Sequence, residues 1–99
     1  VYATPQNDNW EISHCEFADA HDGVYLGGIN VRFHHNLIDG LQDDGIYLSP
    51  MYMRHRLDKK DPQIHVYQNR FGAMLTALAF GGPEPLAPDQ VFVYRNVFD

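Results

Sequence analysis

The chain is poor in most of the features that would place it quickly. It has one cysteine, so no internal disulfide can staple it. It has 7 Lys and Arg against 13 Asp and Glu, and its net charge of −6 argues against non-specific nucleic-acid binding. No apolar run approaches membrane-spanning length, and no signal peptide is readable. Apolar residues three and four apart, the mark of an amphipathic helix, are missing from its apolar segments. At 99 residues it holds one small domain at most.

What it has is repetition. Residues 22–26 read Asp-Gly-Val-Tyr-Leu and residues 44–48 read Asp-Gly-Ile-Tyr-Leu. Upstream of each lies an alternating segment: Trp10/Ile12, then Val31/Phe33, with later copies at Ile64/Val66 and Val91/Val93. Alternation of period two predicts strands. Each copy bends at a polar residue and sends one more apolar side chain inward: Phe17, Ile38, Phe71 and Phe98. A further strand follows, with Val24/Leu26, Ile46/Leu48 and Leu78/Phe80 inward.

Ile12 and Phe33 are 21 residues apart, and Gly23 and Gly45 are 22 apart. That is too short for a helical crossover between parallel strands. The chain is therefore expected to return to the same strand position one rung higher, about 4.8 Å away. Equivalent residues then stack. Asn36, Asn69 and Asn96 share one slot and predict a structural ladder of amides, with each Asn in left-handed backbone geometry and capping its turn. Cys15 holds the slot in the first copy, as a small side chain filling a buried position.

The Asn-x-apolar turns (Asn36-Leu37-Ile38, Asn69-Arg70-Phe71, Asn96-Val97-Phe98) and the Asp-Gly-apolar-x-Leu strands resemble those of the pectin-lyase-like superfamily. The resemblance implies an all-β fold, a right-handed parallel β-helix solenoid of about four coils. The coils are expected near 10–28, 29–48, 64–82 and 91–99 of a single β-helix segment spanning 1–99, with loop insertions at 49–63 and 81–90. Neither end carries a visible cap, so the chain reads as an excerpt, with further β-helix coils of a parent chain as partners.

Stacking puts Asp22 directly beneath Asp44, with Asp43 one residue aside. Three carboxylates so close repel, so either one pKa rises or a cation sits among them, calcium being the oxygen-seeking choice. His21 beside Asp22 is placed to shuttle protons. Asp22 and Asp44 also have a purely structural reading, since Asp accepts turn hydrogen bonds and Gly supplies positive φ. Asp43 is the extra residue relative to the first coil. Tyr25 and Tyr47 occupy equivalent outward slots and are candidates to pack on sugar rings or on each other. Arg54, Arg56 and Lys59 in the first loop are candidates for binding sugar carboxylates. His14 and His35 are expected to stack but read as solvated surface histidines, with no carboxylate evident to complete a zinc site.

His21-Asp22-Gly23 and Gln42-Asp43-Asp44-Gly45 are similar to the aspartate strands of polygalacturonases. That resemblance implies Asp22 or Asp43 activating water, with an aspartate of the cluster as general acid. It fails one coil on, where Leu75-Thr76-Ala77 stands in place of a Gly-His-Gly strand. The implied function is a section of an extracellular, cell-surface or periplasmic enzyme acting on acidic polysaccharide. It would work as a hydrolase, or as a lyase with calcium on the three aspartates and Arg54, Arg56 or Lys59 as base. The competing function is a non-catalytic β-helix scaffold or carbohydrate-binding section of a large surface protein.

Overall fold

In the computed structural model, residues 1–2, 8–28, 30–48, 63–80 and 91–99 are described, and they form eleven short strands and no helix. The expected loops 49–63 and 81–90 fall outside them, Gln63 excepted. The strands build three sheets. The first holds β1 (Glu11–Ser13), β4 (Val31–His34), β7 (Ile64–Tyr67) and β10 (Val91–Tyr94). The second holds β2 (Glu16–Ala18), β5 (Leu37–Asp39), β8 (Arg70–Phe71) and β11 (Val97–Phe98). The third holds β3 (Val24–Leu26), β6 (Asp44–Leu48) and β9 (Thr76–Phe80). Every pairing is parallel, and successive strands visit the three sheets in turn. The arrangement is compatible with a parallel β-solenoid.

Register follows the repeat. Ile12 pairs with Phe33, Phe33 with Val66, and Val66 with Val93. Phe17, Ile38, Phe71 and Phe98 align in the second sheet, and Val24, Ile46 and Leu78 in the third. The middle rungs form the core: Phe33, Val66, Ile38 and Ile46 are fully buried. Each such side chain contributes about 1.5–3 kcal/mol on burial. At the upper edge the equivalent Val93 and Phe98 are 41% and 54% exposed, because no described strand lies above them.

The Asn ladder is present. Asn69 Oδ1 accepts both the backbone N–H and the side-chain amide of Asn36, and Asn96 Oδ1 does the same for Asn69. Each amide also donates across rungs to a first-sheet carbonyl: Asn36 to Ile12, Asn69 to Phe33, Asn96 to Val66. These amides join rungs; none is seen capping its own turn. The left-handed residue is not the Asn either. It is the residue before it: His14, His35, Gln68 and Arg95, with φ between 52° and 56°. Cys15 does not fill a buried slot. It is exposed, and its Sγ bonds the Ser13 carbonyl, so the ladder ends where the Cys15 N–H donates to Asn36 Oδ1.

Gly23 and Gly45 also serve a different purpose from the one expected. Neither is among the positive-φ glycines, which are Gly28 and Gly40. A Cβ on Gly23 would lie 2.5 Å from the Gly45 carbonyl oxygen, and one on Gly45 would lie 2.7 Å from that of Ala77. The stacked backbones approach too closely for any side chain.

Candidate functional site

The Asp-Gly turn enters the third sheet, and its residues are held by the stacking of β3 on β6. Gly23 N–H donates to the Asp44 carbonyl at 2.9 Å, and Asp44 N–H donates to Asp22 Oδ1 at 3.1 Å. Asp43 N–H reaches the His21 carbonyl at 2.8 Å. Asp22 and Asp44 thus sit on adjacent rungs with their environments made unequal by what each accepts.

Asp22 Oδ2 accepts the Tyr25 hydroxyl at 2.6 Å and lies 3.2 Å from His21 Nδ1. The Tyr25 hydroxyl is the largest influence holding the Asp22 carboxyl below its ordinary range. Burial opposes it, while the Asp44 N–H and His21 assist. Asp44 goes the other way: burial pushes its carboxyl up, and the negative charges of Asp43 and then Asp22 push further. His21 is raised, first by its hydrogen bond to Asp22 and then by that carboxylate's charge, though its ring is largely exposed. Neighbouring carboxyls are thus driven in opposite directions, Asp22 down and Asp44 up.

His21, Asp22 and Asp43 each offer a ligand atom, and the three atoms lie within 4.8 Å of one another. Asp44 is not part of that group. This set differs from the three-aspartate calcium site in including an imidazole, and one nitrogen with two carboxylates suits a borderline divalent metal better than calcium. Asp22 Oδ2 already takes Tyr25 and His21, while Oδ1 takes only the Asp44 N–H.

Tyr25 and Tyr47 pair across the rung with centroids 5.5 Å apart, but edge to face at 62° rather than stacked flat. The Tyr25 hydroxyl is committed to Asp22. One rung on, Thr76 stands beside Asp44, and the acidic column ends. Arg54, Arg56 and Lys59 lie outside the described residues.

The repeat also puts Ser13, His34, Tyr67 and Tyr94 in one outward column, and the structure gives its contacts. On the first sheet His34 stacks on Tyr67 (4.7 Å, 4°) and Tyr67 on Tyr94 (5.1 Å, 1°). His34 Nε2 bonds Glu11 Oε2 at 2.8 Å, and His34 Nδ1 meets His35 Nδ1 at 2.6 Å. That bond to His34 is the main reason the Glu11 carboxyl lies below its ordinary range. His35 in turn stacks flat on His14 at 5.1 Å. These histidines border a groove of about 760 Å³ in the outer angle between the first and second sheets, lined also by Gln68, Arg70 and Arg95. The aspartates do not line it. The signal was the recurrence of ring-bearing residues at His34, Tyr67 and Tyr94, visible in the same register that places the Asn ladder.

No helix among the described residues is long and apolar enough to cross a membrane. No family model matches this chain, and no curated protein or solved structure matches it.

Proposed function

We propose that the chain is a section of a right-handed parallel β-helix of pectin-lyase-like type that hydrolyses acidic polysaccharide outside the cell, with further coils of the same kind covering its edges. The observation that carries the reading is the unequal pair: Asp22 held ionised by Tyr25 beside Asp44 held towards its proton by burial and by Asp43. Glycoside hydrolysis needs one carboxyl that donates to the leaving oxygen and one that activates water. Asp44 takes the first role. Asp22 or Asp43 takes the second, with His21 passing protons to solvent. A lyase route is less well supported, because the three ligand atoms that lie together include the His21 imidazole and leave out Asp44.

The test is the purified protein on a polyuronate. Hydrolysis releases reducing ends with no new ultraviolet absorbance, and Asp44→Asn abolishes the release. A product absorbing through a new double bond would mean a lyase instead. The scaffold reading is favoured by one observation: the groove lies at the other turn, away from the aspartates. Unchanged activity in both Asp43→Asn and Asp44→Asn would establish it.

A further inference from the structure

The groove between the first and second sheets has a charge unlike that of the chain. The whole carries −6 with histidines neutral, yet on the same count the lining sets Arg70 and Arg95 against a single acid, Glu16, with His14 and His35 as further hydrogen-bonding rings. Arg70 is partly neutralised by Asp99 at 2.7 Å. Arg95 has no ion-pair partner among the described residues.

The backbone gives an independent reason to regard these residues as selected for their side chains. Elsewhere the chain assigns positive φ to Asn9, Asp19, Asn30, Gly28 and Gly40, residue types that accept it at low cost. Along the groove it assigns the same conformation to His14, His35, Gln68 and Arg95. Histidine tolerates it moderately; glutamine and arginine gain nothing there over Asn or Gly. Four successive rungs thus bear strain of roughly 1–2 kcal/mol each at the bulkier residues, and each presents a long or planar hydrogen-bonding side chain to the groove.

The histidines are also oriented. Glu11 accepts from His34 Nε2–H, which leaves neutral His34 with its lone pair on Nδ1. His35 Nδ1–H then donates to it, and His35 Nε2 becomes the free basic nitrogen.

The geometry points to this groove as a second binding site, taking an extended carboxylate-bearing sugar chain along the stacked turns. Its cationic and donor slots (His14, His35, Gln68, Arg95) recur at the strand spacing of about 4.8 Å, which suits a ligand with charge repeated along its length. The choice of a uronate rests on the function proposed above; the cationic groove itself does not.

The test is titration of the protein with a hexauronate, read by amide shifts and calorimetry, beside a neutral hexasaccharide and an oligodeoxynucleotide of matched charge. Arg95→Gln puts in this turn the residue that Gln68 already carries in the same conformation, so it is expected to fold. It should weaken uronate binding at least threefold. Gln68→Arg should tighten it by a similar factor. Asp43→Asn should leave groove binding unchanged even where it removes hydrolysis, which separates this site from the catalytic one. Unaltered affinity in both Arg95→Gln and Gln68→Arg, shifts confined to the third sheet, or no uronate binding overturns the inference. Stronger binding of the oligonucleotide overturns the assignment of the ligand.

Discussion

Each rung makes two polar turns, and stacking treats them in opposite ways. At the Asn turn, like sits on like with every group satisfied. An amide both donates and accepts, so Asn36, Asn69 and Asn96 bond one another without end. At the Asp-Gly turn the stacked groups are carboxylates, which when ionised only accept. Repetition there creates repulsion, and the members become unequal: Asp22 is given the Tyr25 hydroxyl and a backbone N–H, while burial and the neighbouring negative charges raise the Asp44 carboxyl. Parallel stacking therefore joins amides from rung to rung and sets carboxylates in unequal surroundings.

The sharpest way to break that contrast is to remove one amide. Asn69→Ala deletes four hydrogen bonds at a site 2% exposed and leaves the Asn36 N–H without its Asn69 acceptor. The expected loss is roughly 3 kcal/mol or more, read from urea denaturation. A loss below 1 kcal/mol would mean that the ladder decorates a fold held by its apolar stack alone.

The second test concerns spacing at the other turn. Gly45→Ala drives a methyl to within 2.7 Å of the Ala77 carbonyl and 2.8 Å of Met74 Sδ, at an expected cost of roughly 1–3 kcal/mol. Position 77 is the same slot one rung up, and it already carries alanine where no described strand stacks beyond β9. Ala77→Gly should accordingly cost much less than Gly45→Ala. Equal losses would show that the glycines act through the unfolded chain rather than through close approach.

The third extends the ladder. Cys15→Asn supplies an amide beneath Asn36, whose Oδ1 already takes the residue-15 N–H. A gain of about 0.5–1 kcal/mol is expected at this exposed end. No gain would mean that the terminal rung frays too readily to reward a further bond.

Strand positions and register were legible because alternation and recurrence are written in the letters themselves. Phe17, Ile38, Phe71 and Phe98 could be aligned by eye, and the coordinates align them. What the letters did not carry was the direction of each bend. The left-handed residue falls one position before the Asn, Cys15 turns outward, and Gly23 answers to a neighbouring backbone rather than to its own φ. All three depend on how sheets meet in space. The same gap hid the groove: His14 and His35 were expected to stack, but only the meeting of two sheets brings Gln68 and Arg95 beside them to make a cleft.

The subtlest comparison is between the two carboxyls, and pH separates them. Asp22 titrates below its ordinary range, so its contribution is full above the unfolded aspartate pKa and is lost as pH falls through the folded value. Asp44 is raised, so its contribution is present below the unfolded pKa and is lost as pH rises through the folded value. Tyr25→Phe removes the main influence on Asp22. It should lower stability at neutral pH by at most about 1 kcal/mol at this partly solvated site, with the difference vanishing in acid. Asp44→Asn removes a burdened charge and should raise stability at neutral pH, again with little effect in acid. Urea midpoints across the carboxylate range, with carbon-13 titration of the two side chains, read both. If the two substitutions move stability in the same direction at neutral pH, the carboxyls are not driven in opposite directions, and the proposed acid–base pair is gone.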